Sequence, residues 1–189
     1  MGLTRFVIDG YGQLELNNVA FRRDGRVEAQ CALSSTDFAS VPAENGMLLA
    51  VDRINRVVQF FDSSDDTYPI ALNYTAEHMY DERANALKDF KLELGEFYPR
   101  LGYLSVGDLF TTNCISYDKG SSSGQFADDA AVETALAAIG TTPLYGGACA
   151  NGTIVLGTSA PVKGPVLKVV EKTTMPDGTI GVKFQVLTA

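Results

Sequence analysis

His78 is the single histidine of this chain of 189 residues, and Cys31, Cys114 and Cys149 are its three thiols. Any Ser-His-Asp or Cys-His mechanism therefore runs through the segment Tyr74-Thr75-Ala76-Glu77-His78-Met79-Tyr80-Asp81. No G-x-S-x-G nucleophile elbow accompanies it. The cysteines are odd in number, widely spaced and set among apolar or small neighbours. That pattern predicts buried free thiols and a reducing compartment in preference to a disulfide framework. His78 is read as a structural or surface residue, with a Cys-His hydrolase as the enzymatic alternative. Zinc needs about four paired His or Cys ligands, and here the four candidates are unpaired. Asp62, Asp65 and Asp66 have the oxygens a hard cation takes, but they lack the D-x-[DN]-x-[DN]-G spacing and read as a solvated turn. The expectation is an absence of catalytic, metal-binding and cofactor-binding residues, and of any cofactor.

The glycine motifs agree with that reading. Gly10-Tyr11-Gly12 and Gly146-Gly147 fit neither G-x-x-x-x-G-K-[ST] nor G-x-G-x-x-G at a strand-to-helix junction. Asn73-Tyr74-Thr75 and Asn151-Gly152-Thr153 match the glycosylation sequon, but the apolar run after Arg5 is too short for a secretion signal. Met1-Gly2 lacks the Ser or Thr at position six that a myristoylation signal carries. With 15 Lys+Arg against 23 Asp+Glu, the formal charge is -8. That balance argues against nucleic acid and acidic membrane surfaces as partners. No stretch approaches the roughly 18 apolar residues of a membrane span. Of the 8 tyrosines and 10 phenylalanines most are expected in the core. Phe97, Tyr98 and Tyr103 form the one cluster that offers an alternative platform for a sugar or a partner.

The elements that must position these residues read as β. A 46% hydrophobic content supports a core, and 18 glycines favour frequent turns. Residues 26–33 alternate with period two, after a turn at Asp24-Gly25 that follows Val19-Ala20-Phe21. Pro42 to Gly46 is a turn cluster that launches Met47-Leu48-Leu49-Ala50-Val51, and Val57 to Phe61 returns to complete a hairpin. Ile70-Ala71-Leu72 resumes an extended pattern. Residues 75–90 are irregular with about one helical turn. Leu92 to Leu94, Phe97-Tyr98, Tyr103-Leu104 and Leu109 to Ile115 read as short strands with Gly at the corners. After the loop Gly120 to Gly124, one helix spans 128–139, capped by Asp128, with Val132, Leu136 and Ile139 inward and Gly140 as its stop. Asn151-Gly152 marks a tight hairpin, and Met175-Pro176-Asp177-Gly178 turns the last one, which returns on Ile180, Val182, Phe184 and Val186. The fold class expected is mainly β: short antiparallel strands and hairpins in a sandwich or small barrel, with one short α-helix near 128–139. Residues 1–189 read as a single β-rich domain, with room for a separate anchoring arm or small module in 1–40.

Several stretches carry a family resemblance. Tyr74 to Glu77, Tyr80-Asp81-Glu82-Arg83, Gly95-Glu96-Phe97-Tyr98-Pro99-Arg100 and Gly107-Asp108-Leu109-Phe110-Thr111-Thr112-Asn113 are its first part. Gly164 to Val170, Met175 to Gly178 and Gly181 to Val186 are its second. Together they resemble small structural proteins encoded beside the major capsid protein in tailed phages and prophages of Gram-positive bacteria. The likeness covers about residues 45–187, and its motifs are structural. It implies a non-enzymatic virion protein that decorates and stabilises the capsid. Such a protein would bind the major capsid protein on the outer face of the shell as a homo-oligomer, after assembly in the host cytoplasm. The alternative is a carbohydrate-binding or adhesive module on a phage particle.

Overall fold

In the computed structural model, which describes residues 2–64, 67–76, 86–119 and 126–189, the apolar run after Gly46 is a strand with both faces covered. Leu48 faces one hydrophobic core and Leu49 and Val51 face another. This is why the run shows no alternation: a strand buried on both sides has no solvent face to supply polar residues.

The described strands, in chain order, are β1 (Gly2–Arg5), β2 (Leu14–Asn18), β3 (Val27–Glu28), β4 (Ala32–Leu33), β5 (Leu48–Asp52), β6 (Val57–Gln59) and β7 (Ile70–Asn73). After them come β8 (Leu101–Gly102), β9 (Leu109–Thr112), β10 (Ile115–Lys119), β11 (Tyr145–Ala148), β12 (Ile154–Gly157), β13 (Val166–Thr174) and β14 (Ile180–Thr188). Among the described residues two helices, α1 (Ala20–Asp24) and α2 (Asp129–Ala137), and a 3-10 turn at Leu87–Asp89 join them. One sheet has the order β1-β10-β12-β11-β13-β14-β9-β2, the other β3-β8-β7-β5-β6-β4. Pairing is antiparallel except for β10 with β12 and β4 with β6, and neither sheet closes into a barrel. The fold is mainly β and sandwich-like, as the sequence predicts.

The main core lies where Leu48 and Leu72 of the smaller sheet meet Phe110, Ile115, Val182, Phe184 and Val186 of the larger. Helix α2 adds Val132 and Leu136. The second core covers the other face of the smaller sheet, where Phe38, Ala43 and Leu92 close over Leu49, Val51 and Val58.

Several local expectations hold. Asp128 caps α2, its Oδ1 accepting from the Ala131 N–H at 2.9 Å. Strands β5 and β6 pair as a hairpin, as do β13 and β14, and the side chains of Val182, Phe184 and Val186 are fully buried.

Others are corrected. Residues 26–33 are not one strand but β3 and β4, on opposite edges of the smaller sheet. Glu28 Oε1 accepts from the N–H groups of Ala29 and Gln30 at 3.0 and 2.9 Å, and this side-chain turn diverts the chain. The turn at Asp24-Gly25 is present, but what precedes it is a helix and not an extended piece. Ala20–Asp24 is helical, and Gly25 at φ 68 is its left-handed C-cap. Leu92 makes only an isolated bridge to Ala43, and Phe97-Tyr98 lies outside every strand. Gly102 is no corner. It sits inside β8 because a Cβ there would come within 2.4 Å of the Phe21 ring. Helix α2 ends at Ala137 and its C-cap is Ala138, with φ -96, so Gly140 is not its cap. The loop at Asn151-Gly152 is longer than two residues, since β11 and β12 last pair at Ala148 and Ile154.

Residues 2–40 contribute β1 and β2 to the larger sheet and β3 and β4 to the smaller, and place Phe6 and Phe21 in the main core. His78, Asp65, Asp66, the loop Gly120 to Gly124 and most of the irregular segment lie outside the described residues.

Candidate functional site

Tyr103 follows β8, and its N–H donates to the Arg26 carbonyl at 3.0 Å. The Arg53 guanidinium carbon lies 4.9 Å from the centre of the Tyr103 ring, and Arg53 Nε is 3.5 Å from Glu28 Oε2. Arg53 comes from the loop between β5 and β6, so the stacked pair joins two loops of the smaller sheet. A tyrosine face under a guanidinium is favourable for both because the ring quadrupole is negative above its plane. Burial pushes the Tyr103 hydroxyl up, while Tyr103 and then Glu28 hold Arg53 further up.

Two open grooves flank this pair. The first, about 520 Å³, is lined by Val27, Glu28 and Cys31 together with Arg53, Arg56 and Arg100, among others. Arg56 donates through Nε and Nη2 to the Gln30 carbonyl at 3.3 and 3.1 Å, so it also pins the β3–β4 crossing. Arg100 is half-buried, and its guanidinium has no partner among the described residues. The second groove, about 620 Å³, is lined by Tyr103, Arg26, Phe61, Tyr68, Lys163 and Pro165, among others. Five of the chain's 15 basic residues therefore line the two grooves beside the Arg53–Tyr103 pair, in a protein whose formal charge is -8. The arrangement can hold an anion or stack a planar group.

A second polar cluster is structural. Glu44, in the turn before β5, pairs with Arg5 of β1 at 2.6 Å and accepts the Gly12 N–H at 2.6 Å. Asn73 Nδ2 donates to the Glu44 carbonyl at 2.9 Å, and Asn45 Oδ1 accepts from the Ala76 N–H at 3.0 Å. Behind them Thr153 Oγ1 donates to Ser116 Oγ at 2.7 Å. The buried turn thus takes the backbone N–H groups of Gly12 and Ala76 from segments beside β2 and β7, as buried donors require, while Asn45 Nδ2 and Arg5 Nε have no partner among the described residues.

All three cysteines are buried and free, as expected from their neighbours. Burial pushes the Cys114 thiol up to about 12, and it pushes Cys31 and Cys149 up as well. A thiol held neutral is a poor nucleophile. His78 lies outside the described residues, so no Cys–His geometry is stated. Among the described residues no three His, Cys, Asp or Glu side chains gather to hold a metal. Asp62 accepts from the Ser64 N–H at 2.8 Å in the turn predicted for it. The sequon Asn73 is buried, its amide spent on Glu44.

The aromatic cluster departs from the core expectation. Phe97 and Tyr98 are 47% and 52% exposed, and only Tyr103 is half-buried. The basic surface was invisible to net charge because Arg26, Arg53, Arg56 and Arg100 are scattered along the chain, and folding alone brings them together. The Arg53-x-x-Arg56 spacing in a hairpin loop is the one local signal. Compared with known proteins, the chain matches no family model, no curated protein and no solved structure.

Proposed function

We propose that the chain is a non-enzymatic virion structural protein that decorates and stabilises a phage capsid by binding the major capsid protein. The observation that carries this reading is that β1, β2, β3 and β4 each pair on one side only among the described residues. An open strand edge is a template for another chain, and main-chain hydrogen bonds across it give affinity without a pocket. A shell protein that touches several subunits at once needs more than one such edge, because several weak contacts linked together raise the effective concentration of each. The exposed Val106 and Val162, at 71% and 99%, are apolar groups for the centre of such contacts. Copies arranged around a local symmetry axis of the shell would bind as a homo-oligomer.

The test mixes purified protein with expanded heads that lack it, then measures co-sedimentation and the temperature of shell rupture. Saturable binding in a fixed ratio to capsid subunits, with a higher rupture temperature, is expected. Absence of binding to heads overturns the proposal.

The exposed Phe97 and Tyr98, and the Tyr68 and Tyr103 groove, favour a second reading as a carbohydrate-binding or adhesive module of a phage particle. Tight binding to a polysaccharide, with no binding to heads, would select it.

A further inference from the structure

We infer that the groove walled by Arg53, Arg56 and Arg100 is a docking site for an acidic peptide segment of a protein partner, its carboxylates taken by the guanidinium groups. This goes beyond the capsid reading and does not depend on it, since any partner that displays such a segment would serve.

Three observations lead there. The first is charge. Three arginines and one glutamate face a space of about 520 Å³, while the chain as a whole carries -8. The net negative charge repels acidic partners while the local positive field of the groove attracts their carboxylates, which orients an approaching acidic segment. The second is spare donor capacity. Arg53 is engaged with Glu28 and Tyr103, and Arg56 with the Gln30 carbonyl, but Arg100 has no partner among the described residues. A guanidinium presents five N–H donors in a fork that matches a carboxylate in bidentate fashion. Holding one half-buried and unpaired costs desolvation that a bound carboxylate would offset.

The third observation separates a peptide from a phosphate. Phosphate sites are commonly nests of free backbone N–H groups. Here the N–H groups of Ala29 and Gln30 are already taken by Glu28 Oε1. Beside the arginines, Glu28 and Gln30, the lining is apolar, from Val27, Ala29 and Cys31, and the Tyr103 ring lies against Arg53. Such walls suit the aliphatic side chains that flank acidic residues in an extended segment. A compact, fully hydrated oxyanion gains nothing from them.

The experiment titrates full-length protein into a labelled peptide of alternating Asp and Val and reads fluorescence anisotropy. A peptide with Lys in place of Asp is the charge control, and inorganic phosphate is the competitor. Saturable binding of the acidic peptide alone is expected, weakening between ~50 and ~300 mM NaCl as screening grows. Arg100→Gln should lower affinity by about tenfold or more with little change in the melting midpoint, because the side chain has no partner to lose among the described residues. Equal binding of the Lys peptide, or no binding of either, overturns the inference. So does displacement of the peptide by millimolar phosphate, which would make the groove a simple anion site. Should Arg100→Gln fail to fold, the peptide pair and the salt series on the unaltered protein decide the matter. Head binding is measured separately, so loss of peptide binding with head binding intact sinks this inference alone.

Discussion

Substituting Glu44 should loosen the joint between the two sheets. Glu44 sits in the turn that enters β5, and its carboxylate holds Arg5 of β1 at 2.6 and 3.3 Å through its two oxygens. The same carboxylate accepts the Gly12 N–H at 2.6 Å. Glu44→Ala removes all three hydrogen bonds and strands a backbone donor and a guanidinium in a recess. Breaking a buried pair by removing one partner costs about 3–5 kcal/mol in a fully buried setting. The Arg5 side chain is 27% exposed against 9% for Glu44, so water can reach the orphaned cation and lower the cost. About 2–4 kcal/mol is therefore expected. A chain of this size loses about 2–4 °C of melting midpoint per kcal/mol, so the midpoint should fall by roughly 5–15 °C. Glu44→Gln keeps one acceptor for Gly12 and should cost less than Glu44→Ala. The assay is thermal unfolding followed by circular dichroism for wild type, Glu44→Ala, Arg5→Ala and the double variant. The two single losses should exceed the double loss by about 1 kcal/mol or more, since the residues share one interaction. Additive losses, or a Glu44→Ala midpoint within about 1 °C of wild type, would refute the idea that this pair rivets the sheets.

Phe184→Ala removes a fully buried ring that lies 5.7 Å from the Phe110 ring, and it should cost about 3–5 kcal/mol in urea unfolding. A chain ending before Gly164 should not fold cooperatively, because it would lack β13 and β14 and with them the centre of the larger sheet. Gly102→Ala should be strongly destabilising despite the small change, since its Cβ would press on the Phe21 ring from 2.4 Å; a near-normal midpoint would mean that ring moves freely. The pH dependence has a definite sign. Cys114 is raised from 9.0 to about 12 by burial, so its contribution is complete below pH 9 and is lost as pH climbs toward 12, at up to about 1.4 kcal/mol per pH unit. Stability should fall on the alkaline side, and a Cys114→Ala variant should flatten that limb. On the acid side Asp52 and Asp62 are held low by hydrogen bonds from Asn55 and Ser64, so their stabilisation is present above the ordinary carboxylate range and lost as pH falls below it.

Much of the fold is legible in the residue order because it depends on neighbours two to four positions apart. The β13–β14 hairpin follows from period-two alternation across Met175-Pro176-Asp177-Gly178, and α2 follows from an Asp cap with Val132 and Leu136 on one face. Buried cysteines follow from their apolar neighbourhoods. Elements whose form depends on a distant partner were not legible. The period-two pattern of 26–33 is real, but Glu28 turns the chain and sends its halves to opposite edges of a sheet. Gly102 looks like a corner until Phe21, from a helix eighty residues earlier, occupies the space where a side chain would be. The Glu44 turn has a polar sequence, yet it is buried, because Arg5, Gly12 and Asn73 reach it from three other segments. The candidate site belongs wholly to this second kind. Composition determined that the protein is acidic, β-rich and without a recognisable catalytic motif. Only the tertiary structure could gather Arg26, Arg53, Arg56, Arg100 and Lys163 along two neighbouring grooves, because charge summed along a chain carries no information about where folding will concentrate it.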